Sequence, residues 1–127
     1  MNPIINAQTL FSLCSESLSK KCSHCASFDC EGWETRPASF LTKNYPIVGT
    51  LQTKGSEDHW EEYPGTTLSL WSTEAPIAVN YYPYNRSDVL RCLHCKRVYL
   101  SYTEFGGYYV DQRIRLVKPD LIVLSVE

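Results

Sequence analysis

The chain has 127 residues, 43% hydrophobic and 20% charged, proportions of an ordinary folded domain and not of a disordered polyelectrolyte. A formal net charge of -2 gives no global basic field for nucleic acid. The longest apolar run, residues 121–124, is far too short for a membrane-spanning helix. The first basic residue is Lys20, so no positively charged leader precedes an apolar stretch. The expectation is one domain over residues 1–127 in the cytoplasm, where thiols stay reduced.

Residues 3–20 read as a helix. Asn2 can cap it, Pro3 suits its first position, and Ala7, Phe11, Cys14 and Leu18 form one apolar stripe that Leu10 and Leu13 widen. Lys20 and Lys21 favour its C-terminal end. Cys14 faces the core on this pattern, as a small hydrophobe. From Cys22 to about Thr66, glycines and prolines break the periodicity and leave room only for short strands, one near residues 47–52.

The second half reads as β. Strands are expected at 67–72, 77–82, 89–91, 97–103, 108–117 and 121–126, with a hairpin closed by Gly106 and Gly107. In the hairpin Val98, Leu100 and Tyr102 share one face. Tyr109, Asp111, Arg113 and Arg115 alternate with Val110, Gln112, Ile114 and Leu116. The fold class is therefore α+β, an N-terminal helix packed on a mostly antiparallel sheet.

Two C-x-x-C pairs stand out, Cys22-Ser-His-Cys25 and Cys92-Leu-His-Cys95. A two-residue spacer lets both thiolates of a pair reach one ion, and two such pairs complete a tetrahedral four-thiolate site of the kind zinc prefers. The gap between them, residues 26–91, is long, but the entropy of closing a loop grows only slowly with its length. Cys30, His24 or His94 could replace a ligand. A disulfide framework needs an exported protein, and a redox pair needs a thioredoxin-like frame that the pattern lacks. A closed four-thiolate zinc site has no position for substrate, so its role is structural.

No nucleophile elbow, phosphate loop, zinc-protease or dinucleotide motif is present, and the expectation is a chain that is not an enzyme. His59 among Asp58, Glu61 and Glu62 could act as a general base, or could sit in a solvated acidic loop. Two surfaces are candidates for partner binding. One is the acidic-aromatic segment with Glu57, Asp58, Trp60, Glu61 and Glu62, suited to a basic protein such as a toxin or nuclease domain. The other is an outer hairpin face with Tyr99, Tyr109, Arg113 and Arg115, suited to a protein or, alternatively, to nucleic acid.

The two cysteine pairs resemble zinc-ribbon knuckles, which implies a zinc-knuckle hairpin in the second half. In size, mild acidity and the segment Tyr102-Thr-Glu-Phe-Gly-Gly-Tyr-Tyr109, the chain also resembles small bacterial toxin-immunity proteins. That resemblance implies a non-enzymatic inhibitor that covers a partner's active site.

Overall fold

The computed structural model describes residues 3–17, 20–28, 30–55, 58–105, 108 and 110–124. Its one α-helix, α1 (Ala7–Cys14), is shorter than the apolar pattern predicts. Asn6 caps it by accepting the Thr9 N–H at 2.8 Å, because the residues before it are spent on pairing. The Pro3 carbonyl accepts from Thr50, and Ile5 donates to Thr50. Asn2, the expected cap, and Leu18 lie outside the described residues. The helix ends at Cys14, where the Ser15 hydroxyl bonds back to the Ser12 carbonyl at 2.6 Å, a local bond that competes with further helix. Lys20 and Lys21 therefore follow the helix and do not close it.

The sheet has five strands: β1 (Glu34–Thr35), β2 (Ile47–Thr50), β3 (Asp88–Arg91), β4 (Val98–Phe105) and β5 (Val110–Leu116). All neighbours are antiparallel, in the order β1-β5-β4-β3-β2. The fold is thus α+β, a helix on an antiparallel sheet. Among the described residues no helix is long and apolar enough to cross a membrane.

Three predicted strands do not form as such. Around 67–72 the hydroxyls of Thr66, Ser69 and Ser72 accept the N–H groups two residues ahead, at 3.1, 3.2 and 3.1 Å. These turns take the donors that a ladder would need. Among the described residues, 77–82 and 121–124 pair as β only at the bridge between Ile77 and Ile122, and Ser125 and Val126 lie outside the described residues. Ile77, Ala78 and Val79 are nevertheless all buried, so the apolar pattern reported burial and not strand.

Both faces of the sheet are covered. Successive residues of β4 enter different cores: Val98, Leu100 and Tyr102 join one with Ile5, Ala7, Leu10 and Cys14, whereas Tyr99 joins the other with Phe28, Phe40, Tyr45 and the paired cysteines. Burial raises the Cys14 thiol to about 12, as befits an apolar role.

This double burial corrects the expected hairpin surface. Register sets Tyr99 opposite Leu116 and Leu100 opposite Arg115, so Tyr99 lies on one face and Arg113 and Arg115 on the other. Tyr99 and Arg115 are each 0% exposed. Arg115 is a core residue that donates to the Tyr84 hydroxyl and to the carbonyls of Ala75 at 2.8 Å and Thr73 at 3.4 Å. It ties the sheet to the turn-rich segment beside it. Arg113 is half-buried, pairs with Asp111 at 3.3 Å and lies 4.5 Å from the Trp71 ring centre. Tyr109 and the two turn glycines are outside the described residues. Among the described residues, Tyr99 and Arg115 are therefore buried on opposite faces and do not share an exposed face with Arg113.

Leu10 is fully buried, whereas Phe11, in the predicted stripe, is 41% exposed. In urea titrations Leu10→Ala is expected to cost about 2–5 kcal/mol and Phe11→Ala no more than about 1 kcal/mol. Equal losses would contradict this placement of the helix.

Candidate metal centre

The second cysteine pair forms the turn between β3 and β4. Cys92 N–H donates to the Arg97 carbonyl at 2.9 Å, and Lys96 N–H returns to the Cys92 carbonyl at 3.2 Å. The turn closes because Lys96 takes a left-handed φ of 65°, a conformation that favours glycine. His94 N–H then points at the Cys92 sulfur, 3.4 Å away. The first pair sits in a tight turn, with Ala26 N–H on the Cys22 carbonyl at 3.0 Å and a 3-10 turn over Cys25–Ser27.

Asn44 joins the two knuckles. Its carbonyl accepts Leu93 N–H at 3.0 Å, and its amide nitrogen is 3.4 Å from His24 Nδ1. The His24 and His94 rings stack with centres 4.5 Å apart. They flank the sulfurs as a pair: the group that can hold a metal consists of Cys22, Cys25, Cys92 and Cys95. Cys30 is buried nearby in the same core but is not among the four.

All four sulfurs lie within 4.8 Å of one another. Two contacts run between knuckles, Cys22 to Cys92 at 3.6 Å and Cys25 to Cys95 at 3.5 Å. Four thiolates around a zinc-sized ion at about 2.3 Å would have sulfurs about 3.8 Å apart, whereas a disulfide needs about 2.05 Å. All six cysteines are free. The spacing fits a metal ion.

The surroundings fit one too. Cys25, Cys92 and Cys95 are at most 1% exposed. Burial raises the Cys25 thiol to about 12 and raises Cys92 as well. Cys95 is also buried, but the N–H groups of Cys22 and Arg97 and the Arg97 side chain outweigh burial and bring it down to about 6. The Tyr45 hydroxyl is 3.3 Å from the Cys25 sulfur. The buried Tyr99 hydroxyl makes no full hydrogen bond, yet it lies near enough to the Cys25 sulfur to lower that thiol's pKa as a donor does. A metal-bound thiolate is the acceptor such a phenol lacks. Under these sulfurs, Phe40 stacks on Tyr45 at 4.2 Å, and Tyr99 meets Tyr45 edge-on at 5.5 Å. Nothing in the cysteine spacing points to these aromatic residues.

The other predicted site residues lie elsewhere. Asp58, Trp60, Glu61 and Glu62 are exposed, and Glu57 lies outside the described residues. Trp60 is 64% exposed, yet it is held from below, with the Arg86 guanidinium 3.7 Å from its ring centre and the Tyr82 ring at 5.2 Å. The segment is moored by Tyr82 N–H on the Glu61 carbonyl at 2.9 Å and by the Asn85 side chain on the His59 carbonyl at 3.0 Å. His59 is exposed among exposed acids. Comparison with protein-family models, with curated proteins and with solved structures found no match to this chain.

Cysteine variants, pH and the Lys96 turn each check the centre. Cys92→Ser, or chelation, should abolish cooperative unfolding, while Cys30→Ser should keep one metal per chain by mass spectrometry. Metal uptake must expel the protons of Cys25 and Cys92, so apparent affinity should rise with pH, by at least about 100-fold per unit near neutrality; a flat profile would contradict the burial of these thiols. Lys96→Gly should leave stability equal or up to about 1 kcal/mol higher, and Lys96→Val should lose about 1 kcal/mol or more.

Proposed function

We propose that this chain is a non-enzymatic protein-binding module held together by structural zinc on Cys22, Cys25, Cys92 and Cys95. Four soft thiolates at tetrahedral spacing select zinc and leave it no open position. The metal then stabilises the fold, and function lies on the surface that the fold presents.

The observation that carries the reading is the ridge of Asp58, Trp60, Glu61 and Glu62. An exposed Trp supported by a cation and a second ring is pre-organised, which lowers the entropy cost of an interface anchor. The acids around it suit a basic partner. In this reading the partner is a toxin or nuclease domain, and the chain is its inhibitor or immunity protein.

Protein purified from its native host at low salt should carry one stoichiometric protein partner. Trp60→Ala should weaken that complex at least about tenfold, without loss of metal. A chain that is recovered alone at low salt would overturn the reading.

A further inference from the structure

Beside this ridge lies a groove of about 360 Å³. Ser101, Tyr102, Thr103, Glu104 and Phe105 all line it. Consecutive strand residues point to alternate faces, so a hollow that touches all five wraps round the edge of β4; on the face of Ser101 and Thr103 it continues over Leu90 and Ile47 on one side and Gln112 on the other.

That edge is open because β3 is shorter than β4. Their ladder ends where Asp88 meets Ser101. Arg97 accepts from Cys92 on the β3 side, whereas Val98 accepts from Val117 on the β5 side. Alternation then directs the N–H and C=O groups of Thr103 and Phe105 into the space that β3 vacates. No backbone hydrogen bond among the described residues fills it. Phe105 is 76% exposed and, with Trp60, gives the groove an apolar rim.

The wall carries a cation without a counter-ion. Arg36 lies half-buried in the groove, and its Nη2 donates to the Ser101 hydroxyl at 3.0 Å. Its buried Nε has no hydrogen-bond partner, and no carboxylate among the described residues pairs with it. Buried charges are ordinarily paired. The two acids in the groove are engaged by neutral donors: Glu104 accepts from the Tyr82 and Tyr102 hydroxyls at 3.1 and 2.9 Å, and Asp88 from the Gln52 side chain at 3.4 Å.

We propose that the groove receives an extended strand of a protein partner, which pairs with Thr103 and Phe105 and seats one carboxylate on Arg36. The proposal rests on the protein-binding reading and names how the partner docks. A strand offers the alternating donors and acceptors that the open edge needs. Phosphates fit less well, because Asp88, Glu104 and the acidic ridge surround the site. The same acids favour a strand with basic residues on either side of its carboxylate.

The test titrates metal-loaded, isotope-labelled protein with the blocked peptide Lys-Thr-Val-Glu-Val-Thr-Lys and follows backbone and arginine side-chain signals by NMR. Shifts are expected at the Thr103 and Phe105 amides and at Arg36 Nε. A peptide with Gln for Glu should bind roughly tenfold more weakly, and Arg36→Gln protein should no longer distinguish the two. A peptide N-methylated at alternate residues should not bind. The proposal is overturned if millimolar peptide leaves Thr103 and Phe105 unmoved, if the Glu and Gln peptides bind alike, if N-methylation has no effect, or if oligothymidylate moves these amides in place of peptide. A native partner that co-purifies equally with wild-type and Arg36→Gln protein would leave the protein-binding reading standing and reject this docking mode.

Discussion

Four sulfur atoms from the two ends of a 66-residue excursion, residues 26–91, must meet within 4.8 Å inside the protein. Much of the structure is arranged around that demand. The second pair is built into the β3–β4 turn, so the strands that carry it are also the centre of the sheet. The first pair has no strand of its own and depends on Phe28, Phe40, Tyr45 and Asn44 to hold it against Tyr99. Of the ten buried residues in this core, three are cysteines of the cluster, Cys25, Cys92 and Cys95, and Cys22 packs against them. As separate thiols they bring little apolar area. Joined through an ion, they cross-link segments that otherwise touch through a few rings.

On the proposed reading, the four-cysteine cluster also divides labour along the sheet. The sulfurs sit at the Val98 end of β4, and the open edge lies at Phe105. The seven steps between them span about 24 Å at the usual rise per residue. Stapling one end of β4 fixes the direction of the other. The ridge at Trp60 is attached to that far end through Tyr82, Arg86 and the phenol contacts on Glu104. The cysteine cluster and the proposed binding surface are thus linked by one strand without sharing a residue.

The clustered cysteines were legible because C-x-x-C spacing is a local property, readable without knowing the fold. The core strands β3, β4 and β5 were legible for the same reason, since alternation is local too. Which face was buried was not. A sheet covered on both sides hides Tyr99 and Arg115 equally, and the alternation that separates them does not say that each finds a core. Helix α1 was overextended because its apolar stripe continues past the point where the Ser15 hydroxyl turns back onto the Ser12 carbonyl. The strand expected near Leu68 failed because Thr66, Ser69 and Ser72 hold the chain in turns. The open edge of β4 follows from the unequal lengths of two strands, which only the register reveals.

The central claim is that the four cysteines hold one ion between them. X-ray absorption at the metal edge of the purified protein tests it most directly. The account predicts zinc with four sulfur neighbours at about 2.3 Å and no lighter ligand. A nitrogen or oxygen neighbour in the first coordination sphere, or folded protein without metal, would contradict it.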